Sequence, residues 1–240
     1  MPRASLARPR RTALAGHAAV LALALLTVAQ PAAAIDGKLT LHLLRMEPSD
    51  RDARRFSNPG WGGGLQIVLP VPGMSRMVAG VAGFDIVNLL DETTSSYDPQ
   101  SLLRVDQQTS QDYGRVFLGG EFGPHGHGAL RPHVGANIAL VFYGIHTDVV
   151  VPDDYNREQE IRQKLRDENE LAFGYDFNAG LDINPWNKVL FDVGVRFLKS
   201  FNVPQQLGAG SVAIDPSYVE VYLGVGASLN WLGRTTGKGD

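Results

Sequence analysis

Charged side chains recur on one face of several alternating, otherwise apolar runs of this sequence. In residues 171–183, Asp176 and Asp182 lie opposite Phe173 and Phe177. Carboxylates and guanidinium groups on one enclosed face could act as acid and base, line a narrow ion path, or neutralise each other in salt bridges. Isolated buried charges are costly, so the pattern favours salt bridges. The residues assigned to this face are Asp176, Asp182, Asp192, Arg196, Glu220, Arg115 and Glu121, with His42 and Asp85.

A histidine pair, His125 and His127, is the second group with chemical potential. Two histidines separated by one residue can bind a transition metal. Here they lie in a glycine-rich turn, and Glu121 is the nearby carboxylate in sequence. Glycine does not hold ligands in a fixed geometry. We therefore predict neither a specific metal site nor a cofactor.

Signatures of known enzyme classes are missing from the sequence. With no cysteine, the chain has no thiolate metal site, cysteine nucleophile or disulfide. The sequence contains no G-x-S-x-G, P-loop, Rossmann or H-E-x-x-H motif. Gly62, Gly63 and Gly64 follow Trp61 at a strand start, which indicates strand flexibility and not phosphate binding. The sequence predicts a protein that is not an enzyme and has no catalytic residues.

The elements that would position the charged residues are β-strands. From Tyr218 to Trp231, apolar residues alternate with polar residues or glycine. This pattern suits a strand with one face in lipid and the other in a barrel lumen. The sequence predicts eight strands, at residues 37–47, 61–71, 76–90, 112–123, 130–146, 171–183, 188–200 and 217–231.

The predicted connections alternate strictly between long and short. The long ones are 48–60, 91–111, 147–170 and 201–216, as expected for external loops opposite short periplasmic turns. Residues 155–170 are highly charged, with Ile161 and Leu165 four positions apart. This segment is compatible with a short amphipathic helix or with a solvated loop.

Residues 1–34 have the pattern of a secretory signal peptide. Four arginines precede an apolar stretch, and Ala32-Ala33-Ala34 forms an A-x-A cleavage site. We expect a barrel domain over 35–231 and a polar tail over 232–240. Without the four arginines of residues 1–34, 18 basic residues remain against 25 acidic ones, and this net charge of about −7 argues against a nucleic-acid partner.

The chain resembles the small eight-stranded outer-membrane β-barrels of Gram-negative bacteria, the class of outer-membrane proteins A, X and W. The resemblance rests on the signal-peptide pattern, the alternation of long and short connections, and the last strand. In that strand, Leu223, Val225, Ala227 and Leu229 precede Trp231. It implies an all-β fold, an antiparallel up-and-down transmembrane barrel in the outer membrane. It also implies outer-membrane lipid and, during biogenesis, the barrel assembly machinery as partners. The family usually ends on phenylalanine, whereas a polar tail follows here.

The functional hypothesis is a non-enzymatic barrel with a structural or surface-interaction role in the cell envelope. Three alternatives stay open: a narrow, porin-like channel for small solutes, a lipid-modifying barrel enzyme, and a soluble periplasmic barrel that holds an apolar ligand. The deacylase barrels use a His-x-Ser motif, whereas this chain has His125-Gly-His127 and His146-Thr-Asp148. The enzyme alternative is weakened accordingly.

Overall fold

The computed structural model describes residues 37–74, 77–97, 104–125, 128–151, 161–185, 189–207 and 210–229. Within them lie ten strands and one short helix. The strands are β1 (Lys38–Pro48), β2 (Gly60–Pro70), β3 (Val78–Tyr97), β4 (Arg104–Phe122), β5 (Leu130–Val151), β6 (Ile161–Ile183), β7 (Val189–Phe201), β8 (Val203–Leu207), β9 (Gly210–Ile214) and β10 (Ser217–Ser228). The helix, α1, spans Arg51–Phe56.

Eight of the strands close into an antiparallel barrel in the order β1-β10-β7-β6-β5-β4-β3-β2. Closure leaves no open sheet edge at the level where all eight strands pair, as a lipid-embedded sheet requires. Strands β8 and β9 form a separate two-stranded sheet in the connection from β7 to β10. The predicted eight-stranded barrel is confirmed, and the predicted loop 201–216 contains this additional hairpin.

Alternation along each strand sends apolar side chains outward and polar ones into the barrel. In β10, Val221, Leu223 and Val225 are each about half exposed, while Tyr222 and Glu220 are buried. The outward surface of β5 stays apolar from Val134 to Phe142, a nine-residue span that suits a transmembrane strand. An exposed apolar belt around a polar interior is the arrangement of a barrel in lipid.

Inward glycines make room for large side chains that cross the lumen. A Cβ atom at Gly194 would lie 2.5 Å from the hydroxyl of Tyr222, and one at Gly180 would lie 2.6 Å from the same hydroxyl. Tyr222 therefore occupies space that two neighbouring strands leave free. Eight strands enclose an interior that side chains can fill, so each large residue needs a small one opposite.

Four strands continue well beyond the apolar belt. Strand β3 pairs with β2 only as far as Asn88 but follows β4 to Tyr97. Strand β6 pairs with β5 from Ile161 but reaches β7 only at Phe173. The result is a sheet of β3, β4, β5 and β6 that projects past the barrel, called the projecting sheet below. Its outer edges lie on β3 and β6.

The projecting sheet corrects two predictions about long loops. Most of residues 91–111 and 147–170 continue the strands, with β-bulges at Asn88/Leu90 and Thr147/Asp148. Both interpretations of the charged segment, helix or loop, are wrong for residues 161–170, because this stretch pairs with β5. Backbone pairing with a neighbouring strand outweighs its helix-favouring composition.

The first long connection contains α1. Asp50 is the N-cap residue, and its side chain accepts a hydrogen bond of 2.7 Å from the backbone N–H of Ala53. Ala53 is fully buried, so the helix packs onto this end of the barrel. Within the described residues, no helix has the length and apolar character to cross a membrane.

Candidate functional site: the charged lumen

The middle of the lumen holds two arginines and three carboxylates, called the central network below. Arg115 donates from Nε to Asp85 Oδ2 at 2.6 Å and from Nη1 to Asp176 Oδ2 at 2.8 Å. Arg196 donates from Nη1 to Asp85 Oδ2 at 3.2 Å and also bonds Glu220. Both arginines are at most 2% exposed. Each buried positive charge thus faces more than one negative charge, and this attraction offsets part of the desolvation cost of burying the ions.

Neutral side chains complete the central network. Arg196 Nη2 donates to Gln66 Oε1 at 3.2 Å, and Asn137 Nδ2 donates to Asp176 Oδ1 at 2.7 Å. The Phe117 ring lies 4.6 Å from the guanidinium carbon of Arg115, and Tyr222 lies 4.9 Å from that of Arg196. Cation–π contacts of this kind favour a desolvated guanidinium. The network therefore joins buried side chains from seven of the eight barrel strands across the lumen.

A second cluster, the basal network, lies at the short-turn end of the lumen. Lys38 Nζ donates to both carboxylate oxygens of Asp182, at 2.9 and 3.0 Å, and lies 3.3 Å from Glu121 Oε1. Its distance to Asp192 Oδ2 is 3.8 Å. His42 Nε2 lies 3.3 Å from the same Asp192 oxygen. The residues named here come from strands β1, β4, β6 and β7. A fifth strand, β5, contributes His133.

His133 links the basal network to Tyr222. Its Nε2 lies 3.3 Å from the Tyr222 hydroxyl, 3.7 Å from Asp192 Oδ1 and 3.9 Å from Glu121 Oε2. Ligand atoms of Glu121, His133 and Asp182 lie within 4.8 Å of one another, a spacing that could hold a metal ion. However, the Lys38 ammonium group already contacts both of these carboxylates. The cation of this cluster is therefore supplied by the chain itself.

Tyrosines fill the opposite end of the lumen, below α1. The rings of Tyr113 and Tyr143 meet edge to face with centroids 5.2 Å apart, and Tyr218 lies 5.8 Å from Tyr113. Tyr143 donates to Ser200 Oγ at 3.1 Å, while Tyr218 and Ser57 share a 3.0 Å hydrogen bond. This tyrosine layer, with the buried Ala53 above it, covers the end from which the projecting sheet rises.

Comparison with solved structures gives matches over most of the chain. Neisserial surface protein A (NspA) superposes with a TM-score of 0.51 at 10% identity, covering 80% of this chain and 97% of NspA. Ail, the attachment invasion locus protein of Yersinia pestis, gives a TM-score of 0.44 at 11% identity, covering 80% and 96% of the two chains. No model of a known protein family matches the chain, and no curated protein matches it either.

This is the fold of a small eight-stranded outer-membrane β-barrel. At such low identity, the likeness to NspA establishes the fold and nothing more. The chemistry of this barrel must therefore be argued from its own side chains.

Every inward charge assigned from the sequence lies inside this barrel. The structure divides them between two places. Asp85, Arg115, Asp176, Arg196 and Glu220 meet in the central network. His42, Glu121, Asp182 and Asp192 meet in the basal network.

Sequence reasoning missed Lys38, Gln66 and the tyrosine layer. Lys38 lies two and four positions before Thr40 and His42 on β1, so the period of two would have placed it on the same inward face as His42. His127 lies outside the described residues, so the predicted absence of a metal at the histidine pair stays a prediction. His125 Nδ1 lies 3.7 Å from Glu121 Oε1, and partial burial keeps the pKa of this imidazole below its usual value, against the opposing charge of Glu121.

Charges on the projecting sheet are paired in a different way. Arg104 contacts Asp106, two residues away, at 2.8 Å, and about half of the arginine side chain is exposed. Hydrogen bonds from Ser95 and Arg104 keep the pKa of Asp106 below its usual range. A hydrogen bond from Lys164 does the same for Asp167, which also lies 2.7 Å from His146 Nδ1. These contacts join residues of one strand or of two adjacent strands and are at least partly exposed, unlike those of the lumen.

Proposed function

We propose that this protein is an integral outer-membrane barrel with a closed lumen, acting without catalysis through its outer surface and the projecting sheet. The observation that carries the proposal is the filling of the interior at three levels. The basal network, the central network and the tyrosine layer follow one another along the barrel. A charge-paired, side-chain-filled interior suits a structural anchor better than a solute path.

The projecting sheet supports the surface role. Within the described residues, its β3 edge beyond Asn88 and its β6 edge before Phe173 pair with no further barrel strand, although β8 contacts β6. Such edges can accept an added strand from a partner. The β3 edge contains neither lysine nor proline over residues 91–97, and its charged residues, Asp91 and Glu92, are followed by the uncharged stretch 93–97.

The first test establishes the location of the protein and its folded state. The outer-membrane fraction of producing cells is run on a denaturing gel with and without boiling. We expect the protein in this fraction, with a mobility shift on boiling and an N-terminus near Ile35. Recovery from the soluble periplasm without a shift would contradict the proposal and favour a soluble ligand-binding barrel.

The second test addresses the closed lumen. Purified barrel is reconstituted into planar bilayers, and current is recorded at several voltages. We expect no discrete conductance steps, because paired side chains block the interior. Reproducible steps whose ion selectivity changes in Arg196→Gln or Asp192→Asn would instead establish the narrow channel. Glu47→Gln, a change on the outer surface, is the matched control.

A further inference from the structure

Three arginines in the first long connection have no carboxylate partner within the described part of the chain. Among the arginines whose side chains the structure describes, five have a carboxylate oxygen within 4.0 Å: Arg45, Arg104, Arg115, Arg131 and Arg196. Arg51, Arg54 and Arg55 have none. All three are exposed, and together with Ser49 and Asp50 they line one open surface pocket.

The acidic residues of this connection do not neutralise these arginines. Asp50 lines the same pocket and keeps its negative charge, but it accepts the N-cap hydrogen bond of α1 and lies within ion-pair distance of none of the three arginines. Glu47 pairs with Arg45 at 2.8 Å. Asp52 lies on the first turn of α1 but within ion-pair distance of none of the three. The pocket therefore carries excess positive charge, although the chain as a whole has a formal net charge of −3. Such a patch is suited to an anionic ligand.

The position of the pocket indicates which anion it would meet. On β1 the outward residues Leu39, Leu41 and Leu43 are apolar and exposed, and the next outward residue is Arg45. Arg45 is opposite Trp61 in the β1–β2 ladder, and its guanidinium carbon lies 5.1 Å from the exposed indole ring. Tryptophan favours the boundary between hydrocarbon and headgroups. The Arg45–Trp61 pair thus marks the edge of the lipid-facing surface at the projecting-sheet end of the barrel.

The arginine pocket lies just above this edge. Arg54 Nε lies 3.4 Å from the carbonyl oxygen of Pro48, three residues beyond Arg45. Three residues of a β-strand span about 10 Å, so Arg54 lies within headgroup distance of the Trp61 level. Its planar guanidinium can bind phosphate oxygens through two parallel hydrogen bonds.

We propose that Arg51, Arg54 and Arg55 form a binding site for the phosphate groups of the lipid in the leaflet at the projecting-sheet end of the barrel. The inference rests on the proposed membrane location. The ligand is a phosphorylated lipid headgroup held laterally beside β1 and β2. The site would fix the height of the barrel in the membrane and bring one bound lipid next to α1.

The test compares lipid binding by two charge-matched double variants. Wild type, Arg54→Gln/Arg55→Gln and Arg104→Gln/Lys164→Gln are purified as folded barrels in detergent. Each must first show the mobility shift on boiling, which separates failure of the membrane barrel from failure of the lipid site. The probes are bis-phosphorylated lipid A and its dephosphorylated form in mixed micelles. Binding is measured by titration and by native mass spectrometry.

Each basic side chain near an anionic lipid surface contributes about fivefold to affinity. We expect Arg54→Gln/Arg55→Gln to bind the phosphorylated lipid about 25-fold more weakly than wild type, and the control variant to stay within twofold. We also expect wild type to prefer the phosphorylated probe. Equal affinity for both probes, or equal losses in both variants, would overturn the proposal.

Two further arms cover the remaining outcomes. If the glutamine variant does not fold, Arg54→Lys/Arg55→Lys keeps the charge but loses the bidentate geometry, and it should retain most of the affinity. If the lysine variant binds the phosphorylated lipid only as weakly as wild type binds the dephosphorylated lipid, a charge-based site is contradicted. Inorganic phosphate is added as competitor, and displacement of the lipid at equal concentration would assign the pocket to free phosphate.

Discussion

The arginines of the lumen and those of the projecting sheet belong to one chain but are partnered in opposite ways. Arg115 is 1% exposed at its side chain and contacts carboxylates from β3 and β6. Arg104 is about half exposed and contacts a neighbour on its own strand. Buried ion pairs are costly to break, whereas exposed pairs contribute little. The comparison shows that the contribution of an arginine to stability depends on its burial and on the number of carboxylates that it contacts.

Removing a central arginine should have the largest effect. Arg115→Met leaves Asp85 and Asp176 without their main cation, and breaking such a buried pair costs about 3–5 kcal/mol. We expect the midpoint of urea unfolding in detergent to fall accordingly, measured by tryptophan fluorescence and by the boiling-dependent gel shift. The double variant Arg115→Met/Asp176→Asn should recover part of the loss. Wild-type stability in the single variant would remove the central network as a stabilising feature.

Loss of the basal cation should rank second. Lys38→Met removes the contact between one ammonium nitrogen and the two oxygens of the Asp182 carboxylate. We count this contact as one charge-assisted interaction, which contributes about 1.5–3 kcal/mol. The same unfolding assay measures it, with Lys38→Met/Asp182→Asn as the compensating control. Lys38 is the first residue of β1. Neighbouring side chains can rearrange more easily at a strand end, so we expect a smaller loss of stability than for Arg115→Met. An effect larger than that of Arg115→Met would reverse the proposed order of the two networks.

Loss of the α1 cap should be smaller again. Asp50→Ala removes the hydrogen bond to the N–H of Ala53, and an N-cap substitution of this type costs about 1 kcal/mol. Amide exchange of Ala53 and Phe56 should accelerate, while exchange in β10 should not change. Equal acceleration in the barrel strands would show that α1 and the barrel open together.

The smallest effect should come from acid titration of the projecting sheet. The pKa of Asp167 is lowered in the folded chain, so its contribution is present above its usual value of 3.8 and is lost as pH falls through the lower folded pKa. Lys164→Met should move this pKa back toward 3.8, which carboxyl carbon NMR can follow. Urea unfolding at neutral pH should stay as in wild type, because the pair is exposed. A large loss of barrel stability would show that this exposed pair contributes as much as the buried pairs of the lumen.

The sequence predicted the barrel well where one face is apolar. Strands β7 and β10 alternate cleanly, and their inward residues, including Arg196 and Glu220, follow from the period of two. Residues 91–97 are polar on both faces, so no period reveals that β3 continues there. Its pairing with β4 defines the strand instead.

The partners of the inward charges could not be predicted in the same way. Lys38 and Asp182 are 144 positions apart and belong to strands β1 and β6, which are not neighbours in the barrel. Contacts across a lumen depend on strand tilt and stagger, which a single sequence does not contain. The face of each charge is therefore a local property, whereas its partner is a property of the closed barrel.

The small β8–β9 sheet pairs with no barrel strand, and its ladder ends at Leu207 and Gly210. The base of this hairpin is anchored by the buried Val203 and Ile214, so a foreign peptide inserted at its other end, between Leu207 and Gly210, should be displayed without disturbing barrel assembly. The hairpin thus offers a position for epitope tags or graftable binding loops, and antibody labelling of intact cells would report which side of the membrane it faces.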